Sequence, residues 1–153
     1  MTVKVGINGF GRIGRNVLRA ILESGRKDIE VIEINDLGSV EANAHLLKHD
    51  SVHGRFLGNV KVVDGKIDAG SGLINVSSER DPANLPWNDV DIALECTGIF
   101  TNKDKASLHL KNGSKRVLVS APSNGADKTI VYGVNHKVLT SDHIIVSNAS
   151  CTT

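Results

Sequence analysis

The feature that most constrains this chain is a glycine triplet near its start. Val3-Lys4-Val5-Gly6-Ile7-Asn8 is a short, largely apolar run, and Gly9-Phe10-Gly11-Arg12-Ile13-Gly14 follows at once. A helical pattern resumes through Ile13, Val17 and Ile21. The stretch therefore reads as strand, tight turn and helix, with G-x-G-x-x-G on the turn. Each glycine has its own use: Gly9 permits the turn, Gly11 leaves room for a pyrophosphate, and Gly14 lets helix and strand pack closely. The first amides of such a helix are unpaired donors at the positive end of its dipole, which favours an anion there.

A bare glycine motif serves packing as well as binding, so the second strand carries weight. Ile29-Glu30-Val31-Ile32-Glu33-Ile34 ends in Asn35-Asp36, and Asp36 stands 22 positions after Gly14. An acid at the tip of the second strand of a βαβ unit meets the ribose hydroxyls, and its charge repels a 2′-phosphate. The expected cofactor is NAD, in preference to NADP. The competing reading is a structural turn beside an ordinary strand-end aspartate.

A chain of 153 residues fits one domain with a substantial core. Its 40% hydrophobic and 23% charged content is ordinary for a soluble globular protein. The net charge is +1 and no basic run reaches five residues, so composition supports neither nucleic-acid nor membrane-surface binding. No apolar run approaches the roughly 18 residues of a spanning helix. Val3-Lys4-Val5 enters a strand with no signal-peptide pattern before it. Cys96 and Cys151 are far apart and do not form a disulfide framework, which predicts a reducing, cytoplasmic location.

Further along, Ser39 is placed to cap a short helix reaching Lys48, with Val40, Ala44 and Leu47 on one face. His45, His49 and His53 would suit a metal only if one helix carried all three. The break at Asp50-Ser51 and Gly54 speaks against that, and no metal site is expected. Val60-Lys61-Val62-Val63, the turn Asp64-Gly65, the return from Ile67 and the run Gly72–Val76 predict a small antiparallel excursion around residues 59–76. Asp81-Pro82 opens a short helix. Val90-Asp91-Ile92-Ala93-Leu94 is a buried strand ending in Glu95-Cys96-Thr97-Gly98, where an α/β sheet presents ligand contacts. Cys96 there reads as a small core hydrophobe. Thr101-Asn102-Lys103-Asp104 fits a capping box and Gly113 a helix stop. Strands over Arg116–Ser120, Thr129–Tyr132 and Ile144–Val146 complete the pattern. The repeated alternation predicts an α/β fold: a Rossmann-type, doubly wound, mostly parallel sheet covered on both faces.

The last strand runs into Ser147-Asn148-Ala149-Ser150-Cys151-Thr152-Thr153. A cysteine at the start of a following helix has its thiolate stabilised by free amides and the dipole. Ser150 and Thr152 flank it with hydroxyls and backbone donors suited to an oxyanion or phosphate. Most lone cysteines are inert, so spacing alone leaves a nucleophile and a structural thiol both open.

Taken together, Ile7–Arg15, Asn35-Asp36-Leu37, Asp50-Ser51-Val52-His53-Gly54, Glu79-Arg80-Asp81-Pro82, Cys96-Thr97-Gly98, Ser120-Ala121-Pro122 and Ser147–Thr153 closely resemble glyceraldehyde-3-phosphate dehydrogenases. The likeness covers the whole chain, in the family's order and spacing. It implies that Gly9, Phe10, Gly11, Arg12, Ile13 and Gly14 form the pyrophosphate cradle. It implies further that Asp36 meets the adenosine ribose, Arg80 the adenine through its main chain, and Thr97 and Ser120 the cofactor toward the nicotinamide. Cys151 matches the catalytic thiol, and Ser150 and Thr152 match the substrate and phosphate contacts beside it. The implied reaction is the glycolytic oxidation of glyceraldehyde 3-phosphate to 1,3-bisphosphoglycerate with NAD and inorganic phosphate. The thiol makes the aldehyde carbon tetrahedral so that hydride can leave, and a thioester conserves the oxidation energy until phosphate cleaves it. A homotetramer is the family's assembly.

In the family, a second half supplies a histidine base, an arginine that holds phosphate, and a loop that lines the neighbouring subunit's cofactor site. This chain stops two residues after Cys151, and its six histidines all precede that residue. Residues 1–153 are therefore expected to be the NAD-binding domain carrying the catalytic cysteine at its end, with the family's catalytic domain absent from this chain. Such a piece of a longer protein is expected to bind NAD without turnover. Two alternatives stand beside this. Erythrose-4-phosphate dehydrogenase shares the cysteine signature but tends to carry Glu where Asp36 stands and a different residue after Ser120. A stand-alone NAD-binding or thiol redox-sensing module would use Cys151 as an exposed thiol.

Overall fold

The computed structural model describes residues 1–150 and Thr152. The chain opens with β1 (Val3–Asn8), α1 (Arg12–Glu23), β2 (Ile29–Asn35) and α2 (Val40–Lys48). Two short pairs follow: β3 (His49–Asp50) with β4 (Gly54–Arg55), and β5 (Lys61–Val63) with β6 (Lys66–Asp68). Then come β7 (Leu73–Ser77), a 3-10 turn at Pro82–Asn84, β8 (Ile92–Glu95) and α3 (Lys103–Ala106), which tightens into 3-10 turns over Ser107–Asn112. The remaining strands are β9 (Arg116–Val119), β10 (Lys128–Thr129) and β11 (Ile145–Ser147).

Among the described residues, nine strands form one sheet in the order β10-β11-β9-β8-β1-β2-β7-β6-β5. Among these residues every pairing from β10 across to β7 is parallel, and the β7–β6 and β6–β5 pairings at one edge are antiparallel. This is the Rossmann-type, mostly parallel sheet that the alternation predicts. The antiparallel excursion around residues 59–76 is present and joined to the main sheet. β7 runs antiparallel to β6 but parallel to β2, so it belongs to the main sheet and the hairpin extends from it. Asp64 (φ 50°) and Gly65 (φ 73°) both take the left-handed conformation that a two-residue hairpin turn demands.

β1 sits between β2 and β8, so the chain leaves it to one side and later returns on the other. That reversal opens a crevice at the carboxyl ends of the strands. Strand alternation puts a core on each face. Val5 and Ile7 are buried with Leu18, Ile34, Leu47 and Ile74. Gly6 points the other way: a Cβ there would lie 2.5 Å from the Trp87 ring. Trp87 belongs to the second core, with Val90, Ala93, Val117 and Ile145. Glycine at position 6 is what lets the indole lie against the strand.

α1 differs from its predicted face. Gly14, Leu18 and Arg19 are buried, whereas Ile13 is half exposed. The helix is rotated because Gly14 must meet the turn before it. Arg19 is buried because its Nε and Nη2 donate to the Leu47 carbonyl at 2.9 and 2.7 Å, covering the last turn of α2. α2 itself follows the prediction. Ser39 Oγ accepts from the Ala42 amide at 3.1 Å, and Ala44 and Leu47 face the core. The helix ends at Lys48, so His49 and His53 lie beyond it.

Three boundaries are corrected. The cap of α3 is Asn102, whose Oδ1 accepts from the Lys105 amide, and not Thr101. Asp81 and Pro82 start only one 3-10 turn. The predicted strand over Thr129–Tyr132 pairs only at Lys128–Thr129. Asn135 explains this: its Oδ1 accepts from the Val131 amide and its Nδ2 donates to the Thr129 carbonyl, turning the chain away from the ladder. Gly113 ends the helical run at φ 115°, as predicted. Among the described residues no helix is long and apolar enough to cross a membrane.

Candidate cofactor-binding site

A cleft of about 390 Å³ opens over the carboxyl ends of β1, β2 and β8. Its walls are Asn8, Gly9, Gly11, Asn35, Asp36, Leu37, Glu79, Arg80, Cys96, Thr97, Ile99 and Phe100. A larger concavity, about 850 Å³, lies beside the far half of α1 and residues 53–58. It is lined by neither the glycine turn nor the helix N-terminus, so the chemistry of anion binding belongs to the smaller cleft.

The three glycines are required for different reasons. Gly9 has φ 90°, and a Cβ there would sit 2.8 Å from the Thr97 amide. At Gly14 a Cβ would lie 2.2 Å from the Gly9 carbonyl oxygen and 3.0 Å from Ile7. Both are demanded by the protein's own packing. Gly11 is not: a Cβ there meets nothing within 4 Å, and its φ of −70° suits any residue. It caps α1 with no side-chain hydrogen bond, so the helix start is left open toward the cleft.

Asp36 ties the second strand to the glycine turn. Its Oδ2 accepts from the Phe10 amide at 2.9 Å and its Oδ1 from the Gly38 amide at 2.8 Å. A carboxylate has about four acceptor positions, so two remain for hydroxyls. The Phe10 ring is buried in the core, which leaves only its backbone at the turn. Arg12 leans on the 50–54 loop, with Nη2 3.1 Å from Ser51 Oγ and Nη1 3.9 Å from Asp50. Its side chain and that of Ile13 stay about half exposed. Arg80 is exposed, with its amide donating to Glu79 Oε1 at 2.9 Å.

The far wall is the turn after β8. The Thr97 amide and hydroxyl donate to Glu95 Oε1 at 2.9 and 2.5 Å, and Thr97 Oγ1 accepts from the Ile99 amide at 3.1 Å. Ser120 is half-buried behind it, its amide on the Glu95 carbonyl at 3.0 Å and its hydroxyl bonded to the Cys96 thiol. Burial pushes that thiol up to about 11, against a smaller lowering by Ser120. It is therefore protonated near neutrality and a poor nucleophile, in keeping with its reading as a core hydrophobe.

Beneath the cleft runs a buried polar chain. Asn35 Nδ2 donates to Asn8 Oδ1 at 2.8 Å, and Asn8 Nδ2 donates to Glu95 Oε2 at 2.8 Å. His109 Nε2 meets the same oxygen at 2.6 Å, and Trp87 Nε1 donates to His109 Nδ1 at 2.7 Å. Asn35 Oδ1 accepts from the Glu79 amide and Ser77 Oγ, holding the loop that carries Arg80.

Gly9, Gly11, Asp36, Arg80 and Thr97 thus converge on one cleft, with Arg12, Ile13 and Gly14 on the helix at its rim and Ser120 behind it. Ser150 and Thr152 follow β11 and are not among its walls. Their hydroxyls are 3.1 Å apart, and the Thr152 amide donates to Ser150 Oγ at 3.2 Å. Cys151, the predicted nucleophile, lies outside the described residues, as does Thr153. Sequence reasoning missed Asn8, Asn35, Leu37, Glu79, Cys96, Ile99 and Phe100 as walls, Cys96 having been read only as a core hydrophobe. Asn8 and Asn35 carried a signal, being polar ends of apolar strands. His109 carried none.

Residues 3–103 match the family described as "Glyceraldehyde 3-phosphate dehydrogenase, NAD binding domain". Proteins named glyceraldehyde-3-phosphate dehydrogenase from Cereibacter sphaeroides and Xanthobacter flavus are each 69% identical, over 153 and 155 residues. The one from Zymomonas mobilis is 59% identical over 162 residues. In each case all of this chain is covered but only 46% of the relative. The chain spans about half the length of the curated relatives it matches. On the glycine turn, the acid-tipped second strand and these matches, the chain belongs to the family of glyceraldehyde 3-phosphate dehydrogenase NAD-binding domains.

Proposed function

We propose that this chain holds NAD in a dehydrogenase that oxidises glyceraldehyde 3-phosphate, with inorganic phosphate, to 1,3-bisphosphoglycerate. The observation that carries this reading is Gly11. A side chain there would meet no part of the protein, yet it would fill the space in front of an uncapped helix start. Glycine at that position suits a ligand's close approach, and a pyrophosphate fits the donors. Asp36 suits the ribose hydroxyls of NAD.

When bound, NAD accepts hydride from the substrate carbon. Gly9, Gly11, Arg12, Ile13 and Gly14 bind the pyrophosphate, and Phe10 shapes the turn through its amide's bond to Asp36. Asp36 orients the adenosine ribose, and the Arg80 main chain meets the adenine. Thr97 and Ser120 line the path toward the nicotinamide. Cys151 is the thiol that adds to the aldehyde and later carries the acyl group as a thioester, and Ser150 and Thr152 hold the substrate and phosphate oxygens beside it. Residues 1–153 act as the cofactor domain of a longer, cytoplasmic, homotetrameric enzyme whose remaining part supplies the base and the phosphate-holding arginine.

The test is formation of reduced cofactor by the protein at its natural length, given glyceraldehyde 3-phosphate, NAD and inorganic phosphate together. Turnover is expected to need all three and to be abolished by Cys151→Ser. Equal or faster turnover of erythrose 4-phosphate, or turnover that ignores phosphate, would refute the assignment.

A further inference from the structure

We propose that Glu95 is a positioning residue of the cofactor cleft: a buried carboxylate on which four donors converge, and which thereby holds Thr97 and Asn8 as the cleft presents them. This rests on the reading of the cleft as the NAD site. Glu95 is 1% exposed and sits at the tip of β8, beneath the crevice. On one side it takes the Thr97 amide and hydroxyl; on the other it takes Asn8 Nδ2 and His109 Nε2.

The direction of each bond is determined. An indole nitrogen only donates, so Trp87 requires His109 Nδ1 to be the acceptor and puts the imidazole proton on Nε2, facing Glu95. Asn35 Nδ2 donates to both Asn8 Oδ1 and the Glu79 carbonyl, so Asn8 must turn its amino group toward Glu95. Trp87 and His109 are both fully buried, so that end of the chain has no water to fall back on. Only a group that accepts on both oxygens satisfies both ends. An amide does not: either its amino group faces the Thr97 amide, or it faces His109 Nε2 and Asn8 Nδ2. Neither neighbour can turn, because Trp87 and Asn35 hold them. The Thr97 turn, and with it the wall formed with Ile99, is then released.

Glu95→Gln in the protein at its natural length tests this, with NAD affinity measured by calorimetric titration. We expect affinity to fall about tenfold or more, the cost of one unsatisfied buried donor expressed as binding. Trp87 is the single tryptophan of these 153 residues, so the part of the natural-length protein's emission that Trp87→Phe removes reads the His109 end of the same chain and is expected to shift in the variant. Glu95→Asp, which keeps both acceptors on a shorter stem, is expected to weaken affinity measurably but only a few-fold, less than Glu95→Gln does. Trp87→Phe breaks a buried bond of the same chain and frees His109 Nδ1, but the Glu95 carboxylate itself still draws the imidazole proton to Nε2, so the four donors stay on Glu95. Affinity there is expected to hold within about twofold. Unchanged NAD affinity in Glu95→Gln overturns the proposal. So does a loss in Trp87→Phe as large as in Glu95→Gln, which would reduce the chain to general stability. Should Glu95→Gln not fold, Glu95→Asp carries the test alone: a few-fold weakening with shifted Trp87 emission supports the proposal, and unchanged affinity overturns it. Absence of NAD binding by the unaltered protein refutes the cofactor reading itself, and the proposal falls with it.

Discussion

At the scale of single residues, Gly11 and Gly14 separate binding from packing. A methyl group at Gly14 would overlap the Gly9 carbonyl, a backbone atom that cannot move without dismantling the turn. Gly14→Ala is expected to cost about 3 kcal/mol of stability, the upper range for forced overpacking. Gly11→Ala has no such clash and no unfavourable φ. Its stability is expected to stay within about 0.5 kcal/mol of the unaltered protein, while NAD affinity drops by about tenfold or more as the methyl group occupies the approach to the helix start. Denaturant melts paired with NAD titrations check both, and a destabilised Gly11→Ala with normal affinity would reverse the assignment. The packing roles of Gly9 and Gly14 were legible because each follows from its place on one local turn. Glu95 was not legible in the same way. It looked like the end of a strand, and its partners Asn8, 87 positions away, and His109, 14 positions away, come to it only through the sheet.

At the scale of elements, local signals succeeded where the backbone closes on itself. The Asp64-Gly65 hairpin, the Ser39 cap and the Gly113 stop each depend on a few neighbouring residues. They failed where a distant contact decided the outcome, as for the face of α1, set by Gly14 and by the reach of Arg19 to α2. The β10–β11 edge is held by another such contact. Asp127 Oδ2 accepts from the Ile144 and Ile145 amides at 2.9 Å, and its Oδ1 pairs with Lys103 Nζ at 2.5 Å. The amide of Ile145, then Lys103, then the amide of Ile144 draw this carboxyl down from 3.8 to about 2. A carboxyl depressed on folding stabilises the protein above its unfolded value and ceases to do so as the pH falls through the folded one. Asp127→Asn is therefore expected to lower stability by about 1 kcal/mol above pH ~4, solvent screening limiting the effect. The gap between the two proteins should narrow between pH 3.8 and about 2. Thermal melts across that range measure it, and a gap independent of pH would mean that the charge is not what holds the edge.

At the scale of the whole molecule, the alternation of strands and helices predicted the parallel sheet, but not the neighbour on each side of β1. The second strand of a βαβ unit is close in sequence, so Asp36 could be placed over the cleft. β8 arrives after the hairpin and two loops, and only its pairing with β1 from Val5↔Ile92 to Asn8↔Glu95 gives the cleft its other wall. A ligand gripped by β1, β2 and β8 together finds no site in the unfolded chain, so its binding free energy adds to folding stability. NAD at about a hundredfold its dissociation constant should contribute about 2.7 kcal/mol, which for a domain of this size raises the melting temperature on the order of 5–10 °C. NADP should not do so at the same concentration. The Asp36 carboxylate is held in place by the Phe10 and Gly38 amides and cannot swing away from a 2′-phosphate without releasing the glycine turn. Asp36→Ala should therefore narrow the difference between the two cofactors, chiefly by weakening NAD. Equal shifts from NAD and NADP in the unaltered protein would mean that this carboxylate does not face the ribose, and that the cofactor enters the cleft in some other orientation.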